Sequence, residues 1–374
     1  FREDPINISF DNSKIATSFE FSSFKDFADK KIPFSSISYH DILQMSSTLW
    51  RFVMKLGEIA KKYYVEFNRL PFHCRALLPK NTIVYPELEN GSFSTFTKDA
   101  RFLQFQLESA IPLCIEGMTY DIYDFVGNGI VPSFRYGEAV KEITPYLNGV
   151  MMLGLKYETL EGIILPIDEK TAYKRSAKIN KFDDLYPDES IFNAYLTSIG
   201  LSCKPSTKKR FRNKIVALGG GNTYNFTKEQ LIDLFENNFV IVDGGAVRIL
   251  IDRGLGFLIG ATKYETYIGE HNVHSYEQVK DGILINDKKG YRVTAFGKAG
   301  DYVKISYKDE SGAQSFVYDY LDNKIGVGDM DGGNYFVIPY VINGMYFEQY
   351  HDLRTTLLKT FLRKSGVELV LTNH

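Results

Sequence analysis

Apolar residues recur at three- and four-residue steps through Ile42, Met45, Leu49, Val53, Leu56, Ala60, Tyr63 and Phe67. That spacing places them on one face and predicts a long helix. Asp41 stands where an N-cap belongs and Pro71 lies just past the end. Trp50, beside the same face, reads as packing. Downstream the pattern shortens. Residues 72–78 predict a buried strand, 98–110 a helix capped by Thr95 or Thr97, 111–120 a second strand and 137–147 a third helix. Strands alternating with helices imply a parallel sheet, open or closed into a barrel.

From residue 152 the rhythm restarts. An apolar strand over 162–167 is followed by a Lys-rich polar loop over 170–188 and a helix over 191–199. A strand over 215–218 ends in Gly219-Gly220-Gly221, and Thr227 caps a helix carrying Leu231, Leu234 and Phe235. A strand over 239–242 and a helix over 245–253, closed by Gly254, follow, and 258–259 opens one more short strand. This predicts a compact α/β sandwich. Beyond residue 266, runs at 282–285, 291–295, 302–307, 315–320 and 335–342 are alternating or β-branched. Turn residues such as Asp287-Lys288-Lys289-Gly290 and Asp331-Gly332-Gly333-Asn334 separate them, which predicts an antiparallel module. A last helix over 352–364 carries Leu353, Leu357, Leu358 and Phe361. The predicted division is 1–151, 152–265 and 266–374.

The chain's 374 residues exceed what one core usually serves, which supports two or three domains. Composition narrows function mostly by exclusion. A net charge of -2 and a single basic cluster, Lys208, Lys209, Arg210, Arg212 and Lys214, give no electrostatic footprint for nucleic acid. No apolar run reaches the roughly 18 residues of a membrane span. The start, Phe1-Arg2-Glu3-Asp4-Pro5, has neither Met nor a signal peptide's apolar core, and reads as a processed or interior end. Three widely spaced cysteines, Cys74, Cys114 and Cys203, make no disulfide framework or zinc knuckle. Cys74 and Cys114 are expected to be buried thiols, and the set favours a reducing, cytoplasmic setting. Aromatic residues make up 14% of the chain, and they serve both cores and sugar-binding clefts.

Candidate chemistry gathers at two polar loops. Glu87 and Glu89, with Asn90, follow the apolar Thr82-Ile83-Val84. In an extended segment Glu87 and Glu89 point the same way, and glycosidases need paired carboxylates at the scissile bond. A pair of surface carboxylates fits the same spacing. Asp121, Tyr123, Asp124 and Asn128 end the next strand. They suit sugar hydroxyls, or else a loop that satisfies itself, since Gly127 and Gly129 supply turn freedom. Gly219-Gly220-Gly221-Asn222, between strand and helix, offers phosphate-type geometry but lacks the Walker and GxGxxG patterns. A tight turn is the simpler reading. His271 and His274, with Glu270 and Glu277, lack a third ligand and read as surface histidines. No metal or other cofactor is expected.

Two runs carry a family resemblance. The first is Tyr85-Pro86-Glu87-Leu88-Glu89-Asn90 through Phe93-Ser94-Thr95-Phe96-Thr97-Lys98 to Arg101-Phe102 and Gln104-Phe105-Gln106. The second is Gly117-Met118-Thr119-Tyr120-Asp121-Ile122-Tyr123-Asp124-Phe125 with Gly127-Asn128-Gly129. Together they resemble the last barrel strands of glycoside hydrolases of the β/α-barrel clan, nearest to family 42 β-galactosidases. Residues 152–264, with Val240-Ile241-Val242-Asp243-Gly244-Gly245-Ala246 and Arg253-Gly254-Leu255-Gly256, are similar to that family's second domain. The resemblance implies the C-terminal part of a (β/α)8 barrel, then a flavodoxin-like trimerisation domain, then a small antiparallel β domain. It implies hydrolysis of β-galactoside-type bonds with Glu89 or Glu87 as nucleophile. Asp121, Tyr123, Asp124, Asn128 and Asn90 would bind a carbohydrate substrate. It also implies a homo-oligomer, a trimer; no nucleic acid or membrane partner is expected from the charge and the apolar pattern. The family's acid/base glutamate follows an Asn on the fourth strand, and no Asn-Glu pair occurs here. About 150 residues precede the second domain, where a full barrel takes about 250. The first barrel half is therefore expected to be missing, and a non-catalytic carbohydrate-binding or assembly protein is the alternative.

Overall fold

A computed structural model of the chain describes residues 73–79, 82–89, 99–123, 129–174, 188–267, 274–294, 301–342 and 351–366. The long helix expected over residues 42–67 lies outside them. The chain divides into two compact units, one holding 83–155 and one holding 156–374 with 62–82.

The first unit is a βαβα segment. Strand β1 (Glu87–Glu89) leads to helix α1 (Ala100–Ala110), strand β2 (Thr119–Asp121) and helix α2 (Tyr136–Met152). Asp99 caps α1, its carboxylate accepting from Phe102 N–H at 2.7 Å. The cap is thus neither Thr95 nor Thr97. Leu103, Gln106, Leu107 and Ala110 form the buried stripe of α1, and Gln104 donates to Glu142 of α2 at 3.1 Å. Residues 111–120 are not one strand. Pro112 has no N–H and starts a 3-10 turn over Ile111–Leu113. Cys114 then turns left-handed at φ 51° before the chain reaches β2. Cys114 is buried as expected, whereas Cys74 is exposed. Cys74 sits in a short helical segment, 73–77, where the sequence predicted a strand. An apolar run that short carries no period long enough to separate the two.

In the second unit, β3 (Ile163–Pro166), α3 (Asp188–Ser198), β4 (Cys203–Ser206), β5 (Ile215–Leu218), α4 (Lys228–Asn237), β6 (Phe239–Asp243) and α5 (Gly244–Asp252) follow in chain order. Then come β7 (Ala261–Tyr267), β8 (His274–Val279), β9 (Arg292–Thr294), β10 (Tyr302–Tyr307), β11 (Ser315–Asp319), β12 (Lys324–Val327), β13 (Met330–Asp331), β14 (Tyr335–Ile338) and α6 (Asp352–Lys364). A six-stranded sheet runs β13-β14-β6-β5-β3-β4, parallel except for β13 against β14. Counting β3, β4, β5, β6 and β14 as first to fifth, the parallel order is 2-1-3-4-5, a doubly wound sheet. Its central strands β3, β5 and β6 read as apolar runs because both faces are covered. Ile163, Leu165, Ile215, Ala217, Ile241, Phe336 and Ile338 face α3 and α6 in one cluster. Ile164, Val216, Leu218, Val240, Val242 and Val337 face α4 and α5 in the other.

The sequence predicts residues 335–342, of which 335–338 are strand, as the last strand of the antiparallel module. They instead pair in parallel with β6, Tyr335 opposite Val240 and Ile338 opposite Asp243. The antiparallel strands are therefore an insertion between α5 and the fifth parallel strand. They form a sheet β12-β11-β8-β9 and a separate β7–β10 pair. The predicted strand over 282–285 is a turn closed by an Ile285–Lys288 bridge, while β4, β8 and β12 were not predicted.

Thr227 caps α4 in a reciprocal capping box with Gln230. At the α5 start a Cβ on Gly245 would stand 2.9 Å from the Gly220 Cα. Gly245→Ala gains up to about 1 kcal/mol of helix propensity. The backbone atom it meets has no rotamer by which to yield, so overpacking of about 1–3 kcal/mol outweighs that gain. A lower melting temperature of the transition belonging to residues 156–374 is the expected calorimetric result.

Candidate functional site

The carboxylate-bearing loops meet in the first unit. β1 and β2 pair in parallel, with Glu87 opposite Thr119, Leu88 opposite Tyr120 and Glu89 opposite Asp121. The pairing begins upstream. Glu116 N–H donates to the Val84 carbonyl at 3.3 Å, and Val84 N–H donates to the Glu116 carboxylate at 2.8 Å. Thr119 N–H then donates to the Pro86 carbonyl at 3.1 Å. These bonds fix the register in which Glu89 and Asp121 become backbone neighbours. Adjacent strands lie about 4.8 Å apart, and both residues stand at the C-terminal ends of their strands.

Of the other predicted site residues, Glu87 and Tyr123 are exposed. Tyr120, which the sequence did not single out, is also exposed and holds the register position between Thr119 and Asp121. Asn90, Asp124 and Asn128 lie outside the described residues.

The glycine-rich turn after β5 is occupied by the protein itself. Asp243 ends β6 and is buried, and one of its oxygens accepts from Gly220 N–H and Ala246 N–H, each at 2.8 Å. Its other oxygen accepts from Ile342 N–H at 3.2 Å. A carboxylate thus holds the place an anion would take at the α5 N-terminus, which removes the basis for a phosphate site there. Two members of the basic cluster are likewise engaged in internal pairs. Arg212 forks onto Asp233 at 2.8 and 2.9 Å, and Lys209 reaches Asp168 at 2.9 Å. Burial pushes the Asp168 carboxyl up, but hydrogen bonds from Lys174 and Lys209 outweigh it and hold it below the usual carboxylate range.

His274 is not a surface residue. It lies buried on β8, its ring 5.8 Å from that of Tyr302 and 6.2 Å from that of Tyr340. Beside it is a polar cluster that sequence reading missed. Arg354 of α6 donates to Glu277 of β8 at 2.9 Å and pairs with Asp329, and none of the three side chains is exposed beyond 1%. Ser315 donates to Glu277 at 2.5 Å and accepts from Asp329 N–H at 2.7 Å. The only sequence signal was an arginine on the apolar stripe of the last helix. Among the described residues no group of three His, Cys, Asp or Glu side chains is placed to hold a metal ion. No helix among them is long and apolar enough to cross a membrane.

No protein-family model and no curated protein matches the chain. Solved structures do. One is α-L-fucosidase isoenzyme 2 from Paenibacillus thiaminolyticus, at 10% identity and TM-score 0.49, covering 79% of this chain and 47% of that one. A second is a β-galactosidase from the psychrophilic Marinomonas ef1, at 14% identity and TM-score 0.45, covering 80% and 47%. A third is Gan42B, a GH42 β-galactosidase from G. stearothermophilus, at 8% identity and TM-score 0.49, covering 84% and 48%. The chain spans less than half the length of each of these three. At such identities no residue correspondence follows from them.

Proposed function

We propose that this chain is a glycoside hydrolase, or a portion of one, that cleaves β-galactoside-type bonds by two-carboxylate chemistry. The observation that carries the reading is the in-register parallel pairing of β1 and β2, with Glu89 opposite Asp121. On this reading Glu89, or Glu87 two residues before it, attacks the anomeric carbon. Asp121, Tyr123, Asp124, Asn128 and Asn90 hold the sugar hydroxyls around it. The carboxyl that protonates the leaving oxygen comes from outside the β1–β2 pair, as the chemistry requires a second group across the bond. β1 and β2 are then late strands of a (β/α)8 barrel, whose catalytic groups gather at the strands' C-terminal ends. The doubly wound sheet is a flavodoxin-like domain through which copies of the protein assemble as trimers.

A non-catalytic carbohydrate-binding role is the second reading. It is favoured by the exposure of Glu87 and of the Tyr120 and Tyr123 rings, at 40% and 59% for the two tyrosines. The test is hydrolysis of a panel of aryl β-glycosides by the chain and by its Glu87→Gln and Glu89→Gln variants. Loss in one variant alone supports the enzyme reading and names the nucleophile. A folded protein that hydrolyses none of the panel yet retains a β-galactoside on an affinity matrix supports the binding role.

A further inference from the structure

We propose that His351 makes the docking of helix α6 sensitive to acid: neutral, it caps the helix, and protonated, it releases the first turn. The geometry starts at the cap. His351 is the N-cap of α6, and its Nδ1 accepts from Arg354 N–H at 3.1 Å. Its carbonyl accepts from both Thr355 N–H and Thr355 Oγ1 at 3.1 Å. An imidazole nitrogen accepts only when it carries no proton. Protonation at Nδ1 turns the acceptor into a donor that faces another donor. It also sets a positive charge at the positive end of the helix dipole.

The residue whose amide His351 caps is the arginine of the buried cluster. Arg354 reaches Glu277 on the antiparallel sheet and Asp329 before β13. Further along α6, Phe361 packs on Phe336 and Phe239 of the parallel sheet, with ring centroids 5.4 and 6.2 Å apart. Helix α6 thus joins the inserted antiparallel strands to the parallel sheet. Its first turn supplies the ionic contact together with Leu353, and its later turns supply the rest of the apolar one. Loosening the cap loosens the ionic contact first.

Among the described residues three charged groups bear on the ring: Glu277 from β8, and Asp352 and Arg354 from its own helix. Asp352 is engaged by Asn286 Nδ2 at 2.7 Å, and the Arg354 guanidinium is committed to the two carboxylates. Burial pushes the imidazole below the usual histidine range, and the opposing pull of Glu277 and Asp352 does not restore it. The sign follows. A depressed histidine stabilises the fold fully above its unfolded value and loses that contribution as pH falls through the folded one. The release therefore begins below about pH 6.5.

The protein contains its own control, because α4 is capped by Thr227, which does not titrate. The experiment is hydrogen exchange on the full chain from about pH 7.5 to about pH 4.5, corrected for intrinsic rates. Protection of the Arg354 and Thr355 amides is expected to fall about tenfold, the size of a lost cap, while the first turn of α4 holds. In His351→Asn the cap acceptor no longer titrates, and the α6 protection should be flat with pH. His351→Ser serves the same purpose if the Asn variant does not fold. Loss of protection in α6 and α4 together overturns the proposal, as does an unchanged α6. An equal fall in the Asn or Ser variant also overturns it and shifts the assignment to the Glu277 and Asp329 carboxylates.

Discussion

On the glycosidase reading, Glu89→Gln is expected to lower kcat on an aryl β-galactoside by on the order of 10⁴-fold or more, as losing a covalent nucleophile does in enzymes whose groups act as a unit. The substitution keeps the shape of the side chain and removes the charge and the nucleophilic oxygen, so KM should move little. Glu87→Gln, at an exposed position opposite Thr119, is expected to cost less than about tenfold. The asymmetry is the informative part. The β1–β2 register gives Glu89 a carboxylate residue, Asp121, as its neighbour on the next strand, and gives Glu87 none. Single-turnover kinetics with an activated substrate would expose the difference directly. Restoration of Glu89→Gln turnover by azide, with release of the inverted α-glycosyl azide, would identify the missing group as the attacking one. Equal losses in both variants would move the site away from the β2 edge.

Arg354→Met is expected to destabilise the second unit by about 3–5 kcal/mol, because it strands Glu277 and Asp329 as buried charges without their cation. Arg354 and Asp329 are wholly buried and Glu277 nearly so. Ser315 satisfies one Glu277 oxygen but carries no compensating charge. The cost belongs to the unpaired carboxylates more than to the lost pair. Two further results follow. First, the deficit of Arg354→Met should shrink as pH falls, since carboxylates left in an apolar site take up protons more readily. Second, adding Glu277→Gln and Asp329→Asn to Arg354→Met should recover part of the loss, a non-additivity that a calorimetric cycle would read. Additive losses across the three sites would mean that solvent reaches the cluster.

Much of the second unit was legible in the sequence because its strands are covered on both faces and therefore appear as short apolar runs with sharp ends. Residues 215–218 were placed to the residue in this way, 302–307 by their alternation instead, and the Thr227 cap was correctly identified. The strand His274–Val279 was missed for a physical reason. Its inward positions carry His274 and Glu277, polar groups that an interior accepts only when paired, and the partner lies 77 residues away in α6. No local pattern contains that pairing. Cys203–Ser206 was hidden in the same way by its polar and proline content. For the candidate site, the sequence by itself determined which carboxylates follow short extended segments, since alternation is a local property. Only the tertiary structure decided that Glu89 and not Glu87 stands opposite Asp121, because register is fixed by bonds between distant strands. Only the tertiary structure decided that Tyr335–Ile338 completes the parallel sheet, because an apolar strand of four residues reads the same whether its neighbour runs with it or against it.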